Sequence, residues 1–71
     1  MNEQLKILDV VALLEDLPEH KLVAGQVGTL VEELADGVFQ VEFSDDEGRT
    51  YAMVPLRTNQ LIHLHYAPVA A

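Results

Sequence analysis

His63 and His65 stand two residues apart, and on an extended chain that spacing turns both imidazoles to one face, where they could share a zinc or nickel ion. A third ligand would have to come from His20 or a nearby carboxylate, and nothing in the sequence places one there. Both are therefore read as solvated histidines on the outer face of an edge strand, and no metal or other cofactor is expected. Asp45-Asp46-Glu47-Gly48 has the composition of a calcium loop, but the alternating ligands and the closing bidentate glutamate are absent, which leaves a solvated hairpin turn. Ser44 is the one serine and abuts Asp45 without a nucleophile elbow around it, and no glycine-rich phosphate cradle is present. With no cysteine, thiolate chemistry, disulfides and cysteine-ligated metals are closed as well. The twelve Asp and Glu could be paired as acid and base in many ways, so their number assigns nothing, and no enzyme is expected.

The same carboxylates dominate the charge. Twelve acids against four Lys and Arg give a formal net charge of −8. Lys6, Lys21, Arg49 and Arg57 are scattered, with none of the basic stripe that contacts phosphate, so DNA is excluded as a partner and RNA is disfavoured. The opening residues 1–14 hold their longest apolar run at 10–14, too short for a signal-peptide core or a membrane span, and a cytoplasmic location is expected. A chain of 71 residues makes a single domain, with a core over about 7–66 and short flexible ends. Burial and chain ordering nearly cancel in so small a domain, at about 100 kcal/mol each.

Glycine and proline punctuate the chain at short intervals between runs rich in Val, Phe and Tyr, the pattern of a small all-β barrel or sandwich. Ala35-Asp36-Gly37 is the clearest turn, joining a strand over 28–34 to one over 38–43, where Phe39, Val41 and Phe43 share a face. After the turn at 45–48, a strand over 49–54 alternates Tyr51 and Met53 against Ala52 and Val54, and Pro55 breaks its ladder. Residues 57–60 read as one helical turn or a tight loop. The closing strand carries Ile62, Leu64 and Tyr66 on one side, with His63 and His65 on the other. Near the start, Leu5, Leu8, Val11 and Leu14 fit a helical spacing, while Val10-Val11 favour extension. A strand over 8–14 is preferred because a fifth strand pairing with the last removes exposed sheet edges. Residues 15–26 then form a long loop pinned by Pro18, Leu22 and Val23. The predicted core is Val10, Leu30, Phe39, Val41, Phe43, Tyr51 and Ile62.

The ordered set L-P-E-H-K-L at 17–22, G-Q-V-G-T-L-V-E at 25–32, V-F-Q-V-E-F at 38–43 and E-G-R-T-Y-A at 47–52 resembles a family of small bacterial proteins, domain-of-unknown-function family 4926. The resemblance spans about 7–66. It implies a small SH3-like barrel, in agreement with the strand reading, so the expected fold is a five-stranded antiparallel SH3-like barrel with a short helical turn before the last strand. It carries no established activity and no catalytic residues, and it hints at partners encoded beside it in toxin-antitoxin style pairs. The segment 25–32 is also similar to the glycine-containing strand of ribosome- and RNA-associated SH3-like barrels, but the basic residues that would meet phosphate are missing.

These readings leave a binding module. Glu15, Asp16 and Glu19 in the long loop and Asp45, Asp46 and Glu47 in the hairpin turn are solubilising charge or, in the sharper reading, a docking patch for a basic protein. A homodimer is also expected, with Leu13, Val38 or Leu56 on outer faces.

Overall fold

The computed structural model describes residues 4–65. Five strands follow one another: β1 (Val10–Leu13), β2 (Val27–Ala35), β3 (Val38–Ser44), β4 (Thr50–Arg57) and β5 (Leu61–His63). One 3-10 turn (Pro18–His20) lies in the loop between β1 and β2, and another (Thr58–Gln60) lies between β4 and β5. The strands form one sheet in the order β4-β3-β2-β1-β5, every pair antiparallel. No helix among the described residues is long and apolar enough to cross a membrane.

A single sheet without a covering helix can bury a face only by curling over itself. It does so here, because one core cluster takes Val11 and Leu13 from β1, Leu30 from β2, Phe39, Val41 and Phe43 from β3, Val54 and Leu56 from β4, and Leu61 from β5. Two bulges in β2, between Leu30 and Glu32 and between Glu33 and Ala35, supply the bend. Its first residues pair with β1 and the later ones with β3. Strand count, antiparallel pairing and the helical turn before β5 agree with the all-β, five-stranded antiparallel fold expected from the sequence; β1 pairs with β5 as expected, and β4 and β5 remain the two ends of the sheet.

Local chemistry explains the turns. Gly37 takes φ 76° while Asp36 does not enter the positive-φ region, so a glycine bulge closes β2 onto β3. Gly28 is needed for a different reason. It faces the core opposite Val11, and a Cβ there would stand 2.7 Å from Val41 Cγ1 and 3.0 Å from the Glu42 carbonyl oxygen.

Several expectations are corrected by one-residue shifts in facing. β1 begins at Val10, not at residue 8, and it is Val11 and Leu13 that enter the core, while Val10 is half-buried on the outer face. The helical alternative for this segment is not adopted. Tyr51 and Ile62 are each 50% exposed, because Ala52, Val54 and Leu56 of β4 and Leu61 of β5 take the inward positions. A bulge between Phe43 and Ser44 resets the β3–β4 register near Tyr51. Leu13 and Leu56 are buried and Val38 half-buried, so the first two offer no outer surface. Pro55 does not break its strand: β4 is an edge strand that runs on to Arg57, with Pro55 opposite Gln40, a position where a missing amide hydrogen is tolerated. The long loop is pinned by Leu17 and Leu22, which are buried and bridge each other, while Pro18 and Val23 are exposed. Tyr66 and the chain ends lie outside the described residues.

Candidate functional site

Each acidic segment is built around one carboxylate that accepts backbone amides. In the loop between β1 and β2, Asp16 Oδ1 accepts the Ala24 N–H at 2.8 Å and thereby closes the loop across its base. In the turn between β3 and β4, Asp45 Oδ1 accepts the N–H groups of Glu47 and Arg49, both at 2.9 Å, while Gly48 at φ 81° completes the turn. Asp45 Oδ2 also lies 3.4 Å from Arg49 Nε, and Glu47 pairs with the same guanidinium. Glu15 Oε2 accepts the Gln60 side-chain amide at 3.0 Å, and Gln60 Oε1 in turn caps the Arg57 N–H at 2.8 Å. Glu15 is thus tied to the 3-10 turn before β5.

Of the six candidate carboxylates, Asp16 and Asp45 hold their own loops, Glu47 pairs with Arg49 in the same turn, and Glu15 is engaged by Gln60. Glu19, in the first turn of the 3-10 segment, and Asp46, at the apex of the hairpin turn, are exposed. The two segments come from neighbouring parts of the fold, since Gln26 at the end of the long loop donates through Nε2 to the Tyr51 hydroxyl at 2.9 Å, and Tyr51 stands at the start of β4. The arrangement presents negative charge on loops whose backbone is fastened by side chains. That geometry suits recognition by charge and leaves no carboxylate buried, since no charged residue is buried among those described.

His63 differs from expectation, whereas His65 is exposed as expected. Val11 pairs with His63 in the β1–β5 register, so His63 shares the inward face with Val11, and Ile62 is the residue that points outward. His63 Nε2 lies 3.6 Å from Asp9 Oδ1, with 17% and 11% of the two side chains exposed, and the His65 ring is 4.3 Å from that of His63. The sequence could not place Asp9 there, because only the pairing of β1 with β5 brings residues so far apart in the chain together. Among the described residues no group of three His, Asp or Glu is placed to hold a metal ion. His20 is exposed in the first 3-10 turn and Ser44 is exposed at the end of β3. An open depression of about 590 Å³ beside the β2–β3 turn is lined by Leu5, Lys6, Glu33, Asp36, Phe39 and Thr58 among others, a mixed polar and apolar set.

No curated protein and no solved structure matches the chain. A family match covers residues 7–63, from the turn before β1 to the last residue of β5. On that match the chain belongs to the family described as Domain of unknown function (DUF4926).

Proposed function

We propose that this protein is a non-enzymatic interaction module whose partner is a basic cytoplasmic protein, with an accessory or antitoxin-like subunit as the leading form. The observation that carries this reading is the solvent-facing carboxylates of Glu19 and Asp46 on loops held by Asp16 and Asp45, in a chain of net charge −8. The Arg49 charge is offset locally by Asp45 and Glu47, which both pair with it. Exposed pairs of this sort contribute little to stability, so the surplus of acid is better understood as a long-range attractor for positive charge.

Complementary charge acts mainly on the rate of association, and buried contacts set the lifetime of the complex. The test is capture from native cytosol on the immobilised full chain, followed by kinetics with the purified retained protein. A basic protein held at one-to-one ratio, whose association rate falls as salt rises from about 0.05 to 0.5 M, supports the reading. Retention of RNA through stringent washing, with no protein at stoichiometric level, overturns it in favour of an RNA-associated barrel.

A further inference from the structure

An edge strand turns the N–H and C=O of every second residue away from its sheet, where a further strand can pair with them. The two ends of this sheet are β5 and β4. β5 has three residues, too few to carry a ladder, but β4 has eight. Along those eight the one charge is Arg57, at the last position, and Tyr51 and Met53 are about half exposed. Among the described residues no strand pairs with the far side of β4. An edge of this length, with so little charge to blunt it, invites a second chain unless something else shuts it.

Two hydrogen bonds fix which groups of β4 face outward. The Thr58 N–H donates to the Gly37 carbonyl at 3.1 Å, on the side of β3, so the Arg57 N–H one residue earlier points the opposite way. There it donates to Gln60 Oε1 at 2.8 Å. The β3–β4 register is unbroken from Val38 opposite Arg57 to Phe43 opposite Ala52, so Pro55 and Met53 share the outward side with Arg57. Of these three outward positions, Pro55 has no amide hydrogen and the Arg57 amide is already bonded. Met53 alone stays open to a further strand. Gln60 is itself held, because its Nε2 donates to Glu15 Oε2 at 3.0 Å and its backbone carbonyl accepts the Leu14 N–H at 2.9 Å.

We infer that Pro55 and the Gln60 amide shut the free edge of β4 against a further strand, with Glu15 positioning Gln60 for that task. Gln60 Oε1 takes the place of the carbonyl that an added strand would offer to Arg57, and a carbonyl brought up to Pro55 would find no donor. A polar group buried without its partner is costly, so pairing cannot extend past Met53. The device keeps copies of this chain from joining edge to edge through β4, and it is independent of the acidic-partner proposal.

Amide hydrogen exchange on the full chain reads the edge directly. Met53 should exchange at close to the rate of an open amide, and Arg57 at least about tenfold more slowly. A Met53 amide as protected as that of Val54, which faces β3, means that the edge is already covered and overturns the inference. Arg57 exchange should quicken several-fold in Glu15→Ala and stay as it is in Glu15→Gln, which keeps an acceptor for Gln60; equal rates in all three proteins overturn it as well. Pro55→Thr restores one outward donor and Gln60→Ala frees another, both at side chains outside the core cluster. Each should lower the concentration at which sedimentation detects self-association by about tenfold, and the pair by about a hundredfold, since each adds a hydrogen bond in both copies. As the double variant associates, its Met53 amide should become protected. A double variant that is less stable yet associates no more than the parent chain reduces Gln60 to a cap on the 3-10 turn, and association that leaves Met53 exchanging freely arises at another surface; either result overturns the inference. Should the double variant fail to fold, the exchange rates of the parent chain and the two Glu15 variants decide.

Discussion

Phe43 and Tyr51 are neighbouring aromatics with ring centres 6.5 Å apart, yet the first is fully buried and the second half exposed. Truncation should separate them. Phe43→Ala removes a ring from the centre of the core and should cost about 3 to 5 kcal/mol, enough to unfold much of so small a domain. Tyr51→Ala loses a hydrogen bond from Gln26 and some surface packing, and should cost about 1 kcal/mol. Chemical denaturation of the two variants reads the difference directly, and equal losses would contradict the placement. Gly28 tests the same core from the backbone side. Gly28→Ala drives a methyl group into Val41, Phe43 and the Glu42 carbonyl at once, and one of those neighbours is backbone that cannot rotate away. A loss of about 1 to 3 kcal/mol is expected, although alanine favours most strands over glycine. A stabilised Gly28→Ala protein would show that β2 and β3 pack less closely than described.

The strands were legible in the sequence as elements, and their facing was legible only where one face is polar. β3 alternates cleanly, so Phe39, Val41 and Phe43 were placed correctly from spacing alone. β1 is apolar on both faces and gives no alternation to read, and β4 carries its bulkiest residues, Tyr51 and Met53, on the exposed side while small Ala52 turns inward. Because the side-chain period is two, an error of one residue inverts a whole strand, which is why the sequence points Val10, Tyr51 and Ile62 to the core while the structure turns them outward. The turns were easier, because their chemistry is local. Asp45 and Gly48 announce the β3–β4 turn, and the structure uses both, the aspartate to hold two amides and the glycine to supply a positive φ. Asp45→Ala should therefore cost about 1 kcal/mol despite removing an exposed acid, whereas Asp46→Ala at the apex should cost almost nothing. Thermal melts of the two variants measure this, and equal melting temperatures would mean that the Asp45 bonds do not hold the turn. The contact of Asp9 with His63 had no local sign, since it depends on which strands pair.

At the scale of the whole molecule, the net charge of −8 and the apolar run of β1 act over different distances. Charge acts over about 10 Å in dilute salt and has no preferred geometry, while apolar surface acts only on contact. One double substitution isolates the charge. Glu19→Gln with Asp46→Asn removes two exposed charges, taking −8 to −6, and touches neither the Asp16 and Asp45 bonds nor the outer face of β1. Stability should stay within about 0.5 kcal/mol, since both side chains are exposed and neither holds its loop. Association with a basic partner should slow several-fold at low salt, with little change in dissociation, because the lost charges steer the encounter and do not fill the interface. Stopped-flow kinetics with the partner and chemical denaturation of the isolated chain provide the two readouts. An unchanged association rate would place the recognition site away from Glu19 and Asp46, and a larger loss of stability would mean that one of them holds its loop.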